Sequence, residues 1–311
     1  MFDLDSQENL VVVAGLGAGG ALGLACLVIL AFSGPGHTAA RITPRRVLDG
    51  AAAVFSARPG ALAGLWIGFA LASAFIAILG RISGLTLGLA NSLLAAAMIF
   101  LGHRTMLEYP ARSAGIELPR NGYWSLFLRS IVFGLILLAV ILAVFVLAAL
   151  INALAGAMGA SGQTTLFAIG AAGGVTTIAL STLFARMSFV YPACALGERS
   201  WFVAAIRRSR SAGTGLSVAL WLMVILFVVL AVPVLLTTEA LMSAAIPGSD
   251  ALGFDRFDPD FASPGVWFAM IAGEVVTSLL IAAYSLASIA CVSAAYRICV
   301  LERVESVGGE G

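Results

Sequence analysis

The chain has 311 residues, of which 61% are hydrophobic and only 11% charged, and its net charge is +1. A soluble domain is roughly 25% charged, so this composition cannot cover a water-facing surface and excludes a soluble globular protein. The mean hydropathy of +1.05 points instead to an integral membrane protein, and the near-zero net charge identifies no partner.

Every one of the 17 basic residues is Arg. Base composition of the gene gives that bias, as does a preference of Arg for lipid phosphates. Cys26, Cys194, Cys291 and Cys299 form no CxxC pair, and His37 and His103 are the only histidines. A disulfide framework, a metal site and a cofactor are therefore not expected.

A bilayer-crossing helix needs about 20 mostly apolar residues. Seven segments meet that length, at about 10–32, 60–80, 84–102, 127–154, 164–192, 214–238 and 266–296. The first opens with NLVVVAGLGAGGALGLA (9–25). Its Gly15-x-Gly17-x-x-Gly20 matches a dinucleotide fingerprint, which needs an acidic residue about 20 positions later to hold the ribose. Residues 21–40 hold no acid, the first being Asp49, and no strand–helix alternation follows. No nucleotide is expected. The same run places Gly15, Gly19 and Gly23 on one face, which predicts close packing on another helix, in this chain or a second copy. The acidic opening MFDLDSQE lacks the positive charge of a leader peptide, so none is expected.

Residues 44–60 place Val47, Leu48, Ala51, Val54 and Phe55 at helical spacing beside Arg45, Arg46 and Arg58. That pattern predicts an amphipathic surface helix leading into the second span. Residues 199–215 and 119–130 repeat it, the latter with Tyr123 and Trp124 at headgroup depth. Ser56, Gly60 and Trp66 match Ser211, Gly215 and Trp221 at an offset of 155 residues. The matches fit a faint parallel repeat, or simply what interfacial helices share.

Arg placement gives an orientation, because positive residues collect in short cytoplasmic loops. Seven spans put Arg41, Arg45, Arg46 and Arg58 on one side with Arg104, Arg112, Arg120 and Arg129. Arg186, Arg199, Arg207, Arg208 and Arg210 join them, as do Arg297 and Arg303. Only Arg81 and Arg256 fall opposite. The expectation is a multi-pass protein of the bacterial inner membrane, N-terminus outside and C-terminus cytoplasmic.

The segment ARMSFVYPACALGERSWFVAAIRRSRSAGTG (185–215) carries a resemblance. Arg186, Pro192, Ala193, Glu198, Ala205, Arg207, Ser209 and Gly213 or Gly215 match a motif of the YciC-like membrane proteins. The same motif occurs in the membrane domain attached to some glycerophosphodiester phosphodiesterases. The resemblance implies a six-helix domain over 44–300; the helix expected within 1–43 is an element outside the family shape, and 301–311 reads as a cytoplasmic tail. It implies architecture and no activity; the phosphodiesterase chemistry belongs to a soluble domain absent from these residues.

Candidate site residues follow. Arg186, Arg199, Arg207, Arg208 and Arg210 form a candidate lipid-headgroup or partner contact, while Arg186 and Pro192 also fit a helix end with an interfacial anchor. Glu274 lies inside the last span, roughly 13 Å from its start at 1.5 Å per residue. It fits a structural pair, with Arg81 the partner by depth, or a coupling carboxylate for proton movement. Asn91 is placed mid-span as an interhelical hydrogen-bonding group, and Asn152 near a helix end. Asp255, Asp258 and Asp260 lack the EF-hand spacing. No G-x-S-x-G, H-E-x-x-H or paired-carboxylate arrangement is present. The expected function is non-enzymatic: scaffolding, assembly or lipid organisation, with a small-molecule or lipid transporter using Glu274 as the alternative. Expected partners are membrane lipids and a membrane protein or second copy, without nucleic acid.

Overall fold

The structure is a computed structural model, and it describes residues 7–33, 42–83, 87–113, 115, 122–157, 162–198, 201–245 and 264–302. Among these residues there is no strand. The helices are α1 (Gln7–Ser33), α2 (Pro44–Ala57), α3 (Pro59–Ser83), α4 (Gly88–Ser113) and α5 (Tyr123–Ala157). They continue as α6 (Gly162–Met187), α7 (Val190–Ala195), α8 (Phe202–Arg208), α9 (Gly213–Ala245) and α10 (Pro264–Tyr296), with a π-helical turn at Arg297–Leu301.

Among the described residues, six stretches are long and apolar enough to cross a membrane: Val11–Ile29, Pro59–Ser83, Tyr123–Leu150, Gly162–Ala195, Gly213–Thr237 and Trp267–Leu301. The sequence predicts seven. The missing one is α4, which begins with Asn91 and Ser92 in its first turns and runs on through His103, Arg104 and Glu108. Its apolar stretch is too short and too diluted to qualify. Among the described side chains of 130–150 in α5, none is buried by protein. In water such a surface is untenable, and hydrocarbon covers it without cost.

Sequence signals place the helix boundaries. Pro44 and Pro59 open α2 and α3, where a missing N–H is no loss. Thr43 Oγ1 accepts the Arg46 N–H at 3.3 Å, which caps α2. On α2, Pro44, Val47, Ala51 and Val54 are buried while Arg45, Arg46 and Asp49 are exposed, the two-sided pattern expected from its spacing. Residues 119–130 instead give no separate surface helix: Tyr123 opens α5 itself.

The chain divides into two compact units. The first comprises the described residues of 1–47, 128–190 and 200–219. Its main contact is α1 on α6. Gly15 abuts Phe167 and Gly170, Gly19 abuts Ala171, and Gly23 abuts Val175 and Ile178. Positions on both helices rise together, so the two run parallel.

The second unit comprises the described residues of 48–127, 191–199 and 220–311. Here α3 and α10 run antiparallel, with the Trp66 indole donating to the Leu279 carbonyl at 2.8 Å and Arg81 meeting Glu274 further along. The chain returns along α4, whose Glu108 reaches Arg58 at the start of α3. Gly102 packs on Ile289 of α10, and buried His103 Nδ1 shares a hydrogen bond with Ser293 Oγ at 2.8 Å.

Candidate functional site

The arginine segment begins at the end of α6. Its helix stops at Met187, before Pro192, which sits in the first turn of α7 where it needs no donor. In the second unit, α7 ends on Gly197 at φ +83°. The Gly197 N–H reaches the Cys194 carbonyl at 2.9 Å and the Glu198 N–H reaches Ala193 at 2.8 Å. That pair of bonds is a Schellman end, which needs the left-handed residue that glycine supplies. Glu198 then accepts a hydrogen bond from the Tyr296 hydroxyl at 2.7 Å.

In the first unit, Arg186 is turned into the protein. Its Nη2 donates to the Ile206 carbonyl in the last turn of α8 at 2.9 Å. Ser209, fully buried, donates from Oγ to the Arg186 carbonyl at 3.3 Å. The Arg186 stem lies on Gly213, where a methyl group would fall 2.7 Å from Cδ. Arg186 therefore satisfies an orphan carbonyl at a helix end, which is the role of a brace. Its Nε is buried without a hydrogen-bond partner among the described residues.

Arg207, Arg208 and Arg210 are exposed, in the last turn of α8 and the turn after it. Arg199 lies outside the described residues. The proposed cluster thus divides: three outward arginines, one inward. Arg129, expected only as a loop charge, is buried, with its guanidinium 5.8 Å from the Trp201 ring centroid.

Within the second unit, Arg81 Nε donates to Glu274 Oε1 at 2.6 Å, with side-chain exposures of 31% and 16%. This is the partner that depth alone predicts. Asn91 departs from expectation: it lies in the first turn of α4 and is exposed. There its side chain makes no hydrogen bond to another described residue. The side chain of Asn152 and the acids Asp255, Asp258 and Asp260 lie outside the described residues. Among the described residues no group of His, Cys, Asp or Glu comes together to hold a metal ion.

The glycine face is a close backbone contact. Gly15, Gly19 and Gly23 meet a second small-residue ladder on α6, where Gly170 faces Val12 and Leu16 and Gly174 faces Leu16 and Gly20. Neither Gly170 nor Gly174 is singled out by sequence reasoning, although their four-residue spacing matches that of Gly15 and Gly19.

These features define the class, an all-α polytopic helical membrane protein. No family model matches the chain, and no curated protein or solved structure matches it.

Proposed function

We propose that this chain is a non-enzymatic, multi-pass protein of a bacterial inner membrane that organises lipids or scaffolds a membrane assembly, with the YciC-like architecture that residues 185–215 resemble. The Arg81–Glu274 ion pair carries the choice. It engages the acid deepest in a span, the one group a proton-coupled transporter would use. Two polar contacts between helices are likewise internal to the protein, His103–Ser293 and Trp66–Leu279. The exposed Arg207, Arg208 and Arg210 face outward and suit anionic headgroups.

The parallel contact of α1 with α6 supports the orientation. Helices that run parallel through one bilayer are separated by an odd number of crossings. Between α1 and α6 lie α3, α4 and α5, so α4 has to be counted despite its polar second half. Seven crossings would be consistent with an N-terminus outside and with the arginine-rich segments in the cytoplasm.

Reconstitution of the full chain into liposomes under an imposed pH gradient tests the proposal. Glu274→Gln is expected to insert and assemble normally, with no gradient-driven solute flux in either protein. A flux present in the wild type and lost in Glu274→Gln would replace the scaffold with the transporter.

A further inference from the structure

The second unit holds a cavity of about 290 Å³ where the end of α2, the start of α3, the latter part of α4 and the end of α10 converge. Its walls are mixed in a particular way. Val54, Leu62, Met106 and Pro110 supply apolar surface, and Arg58 and Arg297 line the same space. Tyr109, 72% exposed, stands beside them.

Two observations place this cavity at headgroup depth. Leu62 lies near the start of the apolar span Pro59–Ser83, and Arg297 near the end of the span Trp267–Leu301. Both spans change to polar sequence at this end of the unit. The amphipathic α2 forms one wall there, as a helix lying in a membrane surface would.

The charges of the cavity do not cancel. Glu108 is shared, its two oxygens lying 3.3 Å from Arg58 Nη1 and 2.7 Å from Arg112 Nη2. Arg297 meets Glu302 only at 4.0 Å, beyond hydrogen-bonding range. Among the described residues of these ion pairs, three guanidinium groups face two carboxylates, an excess of one positive charge at the mouth of an apolar pocket. A single phosphodiester has the complementary charge and the oxygens that a guanidinium binds well.

We infer that this cavity binds one anionic glycerophospholipid of the facing leaflet, its phosphodiester on Arg58 and Arg297 and its glycerol and first acyl carbons against Val54, Leu62 and Met106. The site rests on the membrane placement of the chain. It does not rest on Arg207, Arg208 or Arg210, which belong to the other unit.

The test uses the full chain purified in mild detergent, with bound lipid read by native mass spectrometry after adding phosphatidylglycerol or phosphatidylcholine. Phosphatidylglycerol is retained preferentially. Arg58→Gln and Arg297→Gln each weaken retention about fivefold, the effect of one surface arginine on an anionic lipid. Ala57→Phe, at the cavity wall, keeps every charge and blocks the lipid. Arg207→Gln with Arg210→Gln leaves retention unchanged, which separates this site from the arginine surface of the first unit.

Equal retention of phosphatidylcholine overturns the inference, as does displacement of the lipid by millimolar inorganic phosphate. Should Arg58→Gln disturb folding through Glu108, Arg297→Gln and Ala57→Phe leave that pair intact. Unchanged retention in both overturns the inference.

Discussion

Arg81 and Glu274 are separated by 193 positions in the chain and by one hydrogen bond in space. Each lies inside a stretch long and apolar enough to cross a membrane, where an unpaired charge is costly. Their value is mutual, which a double-mutant cycle reads directly. Arg81→Gln and Glu274→Gln are each expected to lower thermal stability, and the pair to show a coupling of about 1 kcal/mol, since both groups keep some exposure. A coupling indistinguishable from zero would mean that the contact is incidental.

Arg186 makes a different kind of commitment. Its guanidinium reaches the Ile206 carbonyl, so Arg186→Ala strands a helix-end acceptor and is expected to cost about 1 kcal/mol. Lysine retains the charge and lacks the planar fork. If Arg186→Lys restored full stability in a denaturation measurement, charge alone would account for the residue. The positive character of Arg186 was legible in the sequence. Its inward direction was not, because it depends on Gly213 leaving room for the stem.

Among the elements, α1 tests what glycines at a fixed spacing do. Gly19 has the Ala171 backbone against its Cα, whereas Gly17 has nothing within 4 Å of the position a Cβ would take. Gly19→Ala is therefore expected to part α1 from α6, at about 1–3 kcal/mol from overpacking. Gly17→Ala gains helix propensity at no steric cost, worth up to about 1 kcal/mol. Thermal unfolding of the two variants in detergent should shift in opposite directions. Equal destabilisation by both would assign the glycines a role other than packing. The dinucleotide fingerprint uses Gly17, so the contrast also separates the packing face from that motif.

Sequence reasoning found the glycine face of α1 because a period of four is a local property of one helix. It left the partner open, because the matching ladder at Gly170 and Gly174 lies about 150 positions away and no local pattern joins them. The fate of α4 has a similar cause. Residues 84–102 look like a span in isolation, whereas the helix runs from Gly88 to Ser113, and its Glu108 meets Arg58 across the hairpin. Asn91 moved from mid-helix to the first turn of α4 because the helix begins at Gly88.

For the whole molecule, the parallel α1–α6 contact and the arginine distribution make one prediction together. Single cysteines at 115 and 208, in an otherwise cysteine-free chain, are expected to react with a membrane-impermeant reagent only from the cytoplasmic face. A cysteine at position 6 should react only from outside. Labelling of positions 6 and 115 from one face would remove α4 or α1 from the crossings.

The sequence by itself determined that this is a helical membrane protein. It also set where most helices start and stop, because apolar length and proline position are properties of neighbouring residues. Tertiary structure decided the pairings: α1 beside α6, Arg81 on Glu274, Arg186 under α8, and two arginines around one apolar cavity. Those depend on groups far apart in the chain meeting at ångström distances. Steric fit between glycine ladders and desolvation of charge select such meetings, and neither is written in any single stretch of residues.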